Sequence, residues 1–189
     1  MKIILGSKSP RRSELLRQMG IEFEVITLDT DESFPEDLPT GEIPLFVAQK
    51  KAIAINALLK QDQLLICADT LVHCDGKVLE KPTDEKDAMH MLTFLADRWH
   101  TVTTGVCIVY KDEYTSFSVD TKVKFGSLSQ EQKQYYIDQF QPYDKAGSYG
   151  IQEWIGLVGV EKINGSYQNV VGLPTFELYQ ALETIKGSI

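Results

Sequence analysis

Short apolar runs alternate along the chain with polar segments rich in proline and glycine, which predicts a succession of strands and helices. The run over residues 2–6 is typical of a buried strand. Pro10 follows a serine at a helix-start position, and apolar residues then recur at helical spacing up to Gly20. A second helix is expected over 45–60, and the continuous apolar run 64–68 predicts a second buried strand.

The second half of the chain predicts more strands than the first. Residues 99–110 and 114–125 form two strand runs around a short turn, and Ser129 with Gln132 makes a capping box that opens a helix ending near Phe140. The other predicted elements are a hairpin turning at Asp75-Gly76, a helix capped by Thr83, a strand over 155–163 and a helix over about 175–186. Because hairpins interrupt the alternation, we expect an α/β fold with a mixed sheet and a cleft.

Length and charge restrict the function. A chain of 189 residues suits one packed domain or two small lobes that share a sheet. The formal net charge of −8 argues against binding of duplex nucleic acid, which requires a basic face. A nucleotide ligand is still compatible with this charge if local cations and a divalent metal offset the repulsion of its phosphates.

The sequence predicts no membrane span, and its cysteines and histidines predict no metal site or catalytic triad. Every apolar run is shorter than the roughly 18 residues that a membrane span requires, and the first is too short for a signal peptide. We therefore expect a cytoplasmic protein. The cysteines and histidines have no spacing typical of a zinc site or a catalytic triad, so we interpret them as packing residues: Cys67, Cys74, Cys107, His73, His90 and His100.

Two arginines occupy the first turn of the first predicted helix. Arg11 and Arg12 directly follow Pro10, where the helix dipole disfavours each cation by about 0.3–1 kcal/mol. The backbone N–H groups there also lack acceptors. A ligand that brings an anion, such as a polyphosphate, explains both features, whereas the alternative is a solvated helix with incidental arginines. The glycine and lysine pattern of a P-loop is absent from the sequence.

Two charged positions point to chemistry near the second strand. Asp69-Thr70 follows the apolar run LLICA, where α/β sheets open their ligand crevices, although a strand-ending turn is the alternative. Leu71 stands where a phosphoaspartate phosphatase carries its second aspartate, which favours general-base or metal chemistry instead. Lys51 lies on the apolar side of the helix over 45–60, so its ammonium must either extend to an edge or meet an anion.

The glycine-rich stretch DKAGSYGIQ, residues 144–152, lies between a predicted helix and a predicted strand. Glycines let the backbone approach a ligand, and the Gln152 amide offers a donor and an acceptor together. This pair matches the ring N–H and carbonyl edge of uracil or thymine. An ordinary loop with a polar residue is the alternative, and Lys81, which precedes Pro82, is by itself typical of a solvated loop.

Seven short motifs follow one another over nearly the whole chain: SKSPRR, DES at 31–33, AQKKA, ICADT at 66–70, KP at 81–82, DKAGSYGIQ and NVVGLP. In this order they resemble the Maf family of nucleoside triphosphate pyrophosphatases. Three choices resemble the branch that acts on dTTP and UTP rather than the sister branch that hydrolyses 7-methyl-GTP. They are Arg11 directly after Pro10, Thr70 directly after Asp69, and Gln152.

The resemblance implies an elongated mixed sheet with flanking helices, in which two lobes surround a central cleft. It implies a single domain over residues 1–189 and a possible homodimer. The implied reaction cleaves the bond between the α and β phosphates of dTTP and UTP, giving the monophosphate and pyrophosphate with Mg²⁺ or Mn²⁺. Modified pyrimidine triphosphates are further candidate substrates. A nucleotide-binding regulator of septum formation or cell division, with little turnover, stays open as the alternative.

The resemblance also implies a role for each residue of the expected site. Asp69 is the expected proton acceptor that activates water. The other implied roles are substrate specificity for Arg11, Thr70 and Gln152, phosphate binding for Ser7, Arg12, Lys51 and Lys81, and metal binding for Glu32 with Asp69.

The sequence differs from the typical pattern of the Maf family at a few positions. Glu80 and Glu153 stand where the family typically has glycine, and Phe140-Gln141 replaces a common Gly-Glu pair. The two glutamates are expected to add negative charge near the cleft and thereby to affect nucleotide binding, metal preference or substrate choice.

Overall fold

The computed structural model describes residues 1–60 and 62–187. The strands in these ranges are β1 (Lys2–Leu5), β2 (Phe23–Val25), β3 (Gln63–Cys74), β4 (Lys77–Leu79), β5 (Trp99–Tyr110), β6 (Glu113–Phe125) and β7 (Val160–Asn164). The α-helices are α1 (Pro10–Gln18), α2 (Ile43–Asn56), α3 (Glu85–Leu95), α4 (Gln130–Phe140), α5 (Trp154–Gly159), α6 (Tyr167–Val171) and α7 (Thr175–Gly187).

The strands form one mixed sheet in the order β2-β1-β3-β5-β6-β7, with β4 paired to β3. Strand β1 is parallel to both neighbours, so that Leu5 aligns with Val25 on one side and Ile66 on the other. Strand β4 is antiparallel to β3, and β7 is antiparallel to β6. The predicted α/β fold, with a mixed sheet and flanking helices, is confirmed.

The chain divides into two compact units, the first of which contains residues 1–69, 104–119 and those from 172 onward. Its core lies between α2 and strands β1, β3 and β5, and consists of Ile4, Ala48, Ala52, Ile55, Leu65, Cys67, Cys107 and Val109. A Cβ atom at Gly105 would lie 2.3 Å from the backbone nitrogen of Leu45. Only glycine permits this approach, which fixes the start of α2 against β5.

The second unit contains residues 70–103 and 120–171. Apolar side chains of its strands pack against those of α3 and α4. The largest side chains of this core include Leu79 and Phe125 from the strands and Leu92, Leu95 and Tyr136 from the helices. The capping box at Ser129 is present as predicted, because its side chain accepts from the backbone of Gln132 and the Gln132 side chain accepts in return. The hairpin between β3 and β4 turns at Asp75 and Gly76, also as predicted.

Two predictions about local structure in the second unit are wrong. The first half of the strand expected over 155–163 is helix α5, and only Val160–Asn164 forms a strand. An apolar run of this length is compatible with either structure, and its spacing does not distinguish them. The N-cap of α3 is Asp84 rather than Thr83, because the Asp84 carboxylate accepts from the backbone N–H of Asp87 at 2.8 Å.

The cysteines and one histidine serve as packing residues, as predicted. Cys67, Cys74 and Cys107 are buried free thiols. His100 is also buried, and its Nε2 lies 2.7 Å from the Tyr149 hydroxyl. His90, by contrast, is exposed on α3, so the packing interpretation is wrong for it. No helix in residues 1–60 or 62–187 combines the length and apolar character needed to span a membrane.

Candidate active site

Lys51 joins two carboxylates in the first unit. Its Nζ lies 2.7 Å from Glu32 Oε1 and 2.8 Å from Asp69 Oδ1. The side chains of Lys51 and Asp69 are only 15% and 19% exposed. Opposite charges attract more strongly in such a partly water-excluded place than at the open surface. Of the two interpretations of Lys51, the structure therefore shows an ammonium that meets anions, and these belong to the protein itself.

The helical repeat explains why Lys51 points inward. Ala48 and Ile55 belong to the buried core beneath α2. Lys51 is three residues after the first and four before the second, so all three lie on one face of the helix. The Lys51 stem follows this apolar face while its ammonium reaches the carboxylates beyond the core.

Asp69 lies inside a strand rather than at its end, so the predicted strand end is wrong. Leu65 and Cys67 of β3 face α2 in the core, and Asp69 follows at the same two-residue spacing. The parallel neighbour β1 ends at Leu5, opposite Ile66. Asp69 therefore lies beyond the carboxyl end of β1, on the face of β3 that carries α2, where its carboxylate meets Lys51.

Arg12 makes hydrogen bonds within the protein. Its Nε donates to the Gly172 carbonyl at 2.8 Å, and one terminal nitrogen donates to Ser7 Oγ at 3.0 Å. The guanidinium is buried, which lowers its pKa, and the charge of Asp69 acts in the opposite direction. Part of the hydrogen-bonding capacity of Arg12 is therefore met by neutral oxygens of the chain itself.

The start of α1 is built by serines. Ser9 is the N-cap, and its Oγ accepts from the backbone N–H of Arg12 at 3.5 Å. The Ser7 hydroxyl accepts from the backbone N–H of Ser9 at 3.3 Å. Pro10 occupies the first turn as predicted. The first unit contains five of the predicted site residues besides Glu32, namely Ser7, the half-buried Arg11, Arg12, Lys51 and Asp69.

The remaining predicted site residues, Thr70, Lys81 and Gln152, belong to the second unit. The backbone N–H of Gly147 donates to the carbonyl of Glu80 at 3.1 Å. This bond attaches the segment that carries Lys81 to the loop that leads to Gln152. Both of these side chains are exposed, and Thr70 is half-buried.

A polar network beside Gln152 was not predicted from the sequence. The buried Tyr136 hydroxyl donates to Glu153 Oε2 and accepts from the backbone N–H of Gly150 at 3.0 Å. Lys145 Nζ lies 3.2 Å from Glu153 Oε1 and 2.6 Å from Asp144 Oδ1. Glu153 stood out only as a departure from the family pattern, and nothing in the sequence links it to a tyrosine of α4.

Glu32 and Asp69, the carboxylates around Lys51, are the predicted donors for a metal. Within residues 1–60 and 62–187, no group of three or more histidine, cysteine or acidic side chains is arranged to hold a metal ion. Glu32 and Asp69 are nevertheless held near each other by one ammonium. One or two carboxylates, completed by water and phosphate oxygens, form the usual protein contribution to a Mg²⁺ site. The residues therefore fit an ion that is bound together with a phosphate ligand.

Comparisons with similar sequences and with a family model agree on one family. The chain is 49% identical over 185 residues to the dTTP/UTP pyrophosphatase of Bacteroides fragilis, covering 97% of this chain and 96% of the relative. It is 50% identical to the dTTP/UTP pyrophosphatase of Parabacteroides distasonis, covering 96% and 95%. The solved structure of the Ham1 protein of Staphylococcus aureus is a weaker match, with TM-score 0.44, 15% identity and coverage of 70% and 89%. The model of the Maf-like protein family matches residues 2–185, and the chain belongs to this family.

Proposed function

We propose that this protein is a nucleoside triphosphate pyrophosphatase that hydrolyses dTTP and UTP to the monophosphate and pyrophosphate. The observation that carries the proposal is the Lys51 ammonium between Glu32 and Asp69, in a chain about half identical to proteins named for this activity. Cleavage of a phosphoanhydride requires an oriented water, a proton acceptor and cations around the phosphates. Asp69 offers the proton acceptor, and Lys51 offers one of the cations.

Asp69 is proposed to accept the proton of the attacking water. The water oxygen bonds to the α phosphorus, the bond from this phosphorus to the bridging oxygen breaks, and pyrophosphate leaves. Asp69 Oδ1 already accepts a hydrogen bond from Lys51, so the second carboxylate oxygen is assigned to the water. Lys51 fixes the carboxylate in this orientation, which is the usual role of a residue that supports a general base.

Phosphate binding is assigned to Ser7, Arg12, Lys51 and Lys81. Arg12 is held by Ser7 and Gly172, so its guanidinium is oriented before any ligand arrives. An oriented guanidinium loses little entropy when it binds a phosphate. Lys51 can exchange one of its carboxylate partners for a phosphate oxygen, because an ammonium has three donors.

Glu32 and Asp69 are proposed to hold Mg²⁺ or Mn²⁺ when the nucleotide binds. Such an ion would offset the charge of the phosphates and polarise their oxygens. Binding of the ion is compatible with the hydrogen bond from Lys51 to Asp69 Oδ1 if Lys51 releases Glu32, and a phosphate oxygen then takes the place of Glu32 beside the ammonium.

Base recognition is assigned to Arg11, Thr70 and Gln152. The Gln152 side chain is exposed and therefore accessible to a ligand. Its amide offers the donor and acceptor that the pairing edge of uracil or thymine requires. A single domain over residues 1–189, a homodimer and a cytoplasmic location remain predictions. Size-exclusion chromatography with light scattering and cell fractionation test the last two.

Product analysis tests the proposed function. Purified protein is incubated with Mg²⁺ or Mn²⁺ and a panel of nucleoside triphosphates, and pyrophosphate and orthophosphate are measured separately. We expect pyrophosphate from dTTP and UTP, with loss of the activity when EDTA removes the metal. Orthophosphate alone would place the cleavage at a different bond. Tight nucleotide binding without any product would favour the regulator instead of the enzyme.

A further inference from the structure

The Gln152 side chain lies over Gly150 together with that of its neighbour Glu153. A Cβ atom at Gly150 would be 2.9 Å from Gln152 Nε2 and 3.0 Å from Glu153 Oε2. Both side chains therefore fold back over the same small residue. The Gln152 amide nitrogen and the Glu153 carboxylate therefore share the space over Gly150.

Glu153 is itself held from two sides. The Tyr136 hydroxyl donates to its Oε2, and Lys145 Nζ lies 3.2 Å from its Oε1. The Glu153 side chain is 19% exposed and that of Lys145 is 9% exposed. Burial, and then the hydrogen bond to Glu153, raise the pKa of Tyr136 above its usual range. The hydroxyl therefore stays protonated and donates a hydrogen bond to the carboxylate. The carboxylate is thus fixed in position and stays close to the base-recognition residue.

The orientation of an amide decides which pyrimidine it matches. Uracil and thymine present a ring N–H, which requires an acceptor, whereas cytosine presents an unprotonated ring nitrogen, which requires a donor. A glutamine amide serves either edge after a rotation of about 180°. A freely rotating Gln152 would therefore bind cytosine as well as uracil.

The Glu153 carboxylate opposes this rotation. It attracts the N–H groups of the Gln152 amide and repels its carbonyl oxygen, because an ionised carboxylate only accepts hydrogen bonds. When Nε2 turns toward this carboxylate, Gln152 Oε1 is left to accept the ring N–H of uracil or thymine. We propose that Glu153 is a positioning residue that fixes the Gln152 amide and makes the site prefer uracil or thymine to cytosine. This inference rests on the proposed function, with Gln152 as the residue that contacts the base.

The test compares UTP with CTP, because these nucleotides share their ribose and phosphates and differ at the pairing edge of the base. In Glu153→Gln the side chain keeps its size but loses its charge and its ion pair with Lys145. We expect the ratio of kcat/KM for UTP to that for CTP to fall about tenfold, the loss expected when one oriented hydrogen bond is no longer enforced. A role limited to stability would change both nucleotides equally and leave the ratio intact.

Matched variants separate orientation from folding. Glu161→Gln removes an exposed carboxylate from β7 of the same unit and should leave the ratio unchanged. Lys145→Arg keeps the cation beside Glu153 and should preserve the ratio, whereas Lys145→Met should lower it. If Glu153→Gln fails to fold, Tyr136→Phe removes the hydroxyl that holds the carboxylate while the ring still fills the core, and the same fall is expected.

The outcomes distinguish the inference from the proposed function. If the wild-type protein releases no pyrophosphate from UTP, the proposed function fails and the inference falls with it. If the wild-type protein releases pyrophosphate from UTP and CTP equally well, only the inference is overturned. An unchanged ratio in both Glu153→Gln and Tyr136→Phe overturns it as well.

Discussion

Lys51 Nζ lies 2.8 Å from Asp69 Oδ1, so a lysine of α2 and an aspartate of β3 form a largely buried ion pair in the first unit. The same ammonium also binds Glu32. The ammonium thereby offsets the repulsion between the Glu32 and Asp69 carboxylates. When a triphosphate and a divalent ion bind, Lys51 is proposed to contact a phosphate, Glu32 and Asp69 the ion, and Asp69 also the attacking water.

Replacement of Lys51 should impair catalysis more than nucleotide affinity. Lys51→Met removes the donor that orients Asp69 and one cation proposed to stabilise charge on the phosphates. We expect kcat for dTTP to fall by about 100-fold or more, as when one electrostatic contact to a transition state is lost. Lys2→Met is the control, because Lys2 is an exposed lysine of the same unit that pairs with Glu24 on β2. Equal kcat values for the two variants would contradict the role of Lys51.

Arg12 should contribute to stability as well as to phosphate binding. Arg12→Lys keeps the positive charge but cannot reproduce the two hydrogen bonds to Gly172 and Ser7. We expect the free energy of unfolding to fall by about 2 kcal/mol, the scale of a buried hydrogen bond that involves a charged group. Urea denaturation measures this change. Arg17→Lys, an exposed position on the same helix, should change the free energy by about 0.5 kcal/mol or less.

His100 should make the protein less stable as the pH falls. Burial first, and then the nearby His73, lower the pKa of His100 from 6.5 to about 3. In the unfolded chain this residue takes up a proton at higher pH than in the folded chain, so stability is lost as the pH drops below about 6.5. Between pH 7 and pH 5 its contribution is a loss of about 2 kcal/mol.

The comparison of wild type with His100→Leu isolates this contribution from that of the carboxylates. Unfolding free energies measured in urea at the two pH values should decline less in the variant. The exposed His90 provides the control, since His90→Leu should keep the pH dependence of the wild type. The assignment is contradicted if His100→Leu loses as much stability on acidification as the wild type does.

Local patterns predicted much of the fold because the signals for these elements lie close together in the sequence. Helical spacing after Pro10, the capping box at Ser129 and the Asp75-Gly76 turn each involve residues a few positions apart. The prediction was wrong at 155–159, where an apolar run became helix α5. It also missed β2 and α6, elements of three and five residues that are too short to show a clear period.

The side-chain partners of the site were harder to predict than its residues. The sequence placed Lys51 on the apolar side of a helix and Asp69 at the sheet, but not their contact, because it depends on how α2 crosses β3. The bond from Arg12 to the Gly172 carbonyl joins residues 160 positions apart. No local pattern encodes such a distant pairing.

The most direct test of the central claim is the turnover of Asp69→Asn with dTTP, measured as pyrophosphate release beside calorimetric binding of the nucleotide. Asparagine keeps an oxygen that can accept from Lys51 but cannot take up the proton of water, so the fold and the binding should persist. We expect kcat to fall by about 1,000-fold or more while the dissociation constant changes only a few fold. Glu183→Gln, which alters an exposed carboxylate of α7 in the same unit, should keep the wild-type rate. A kcat for Asp69→Asn within a few fold of wild type would contradict the assignment of Asp69 as the proton acceptor.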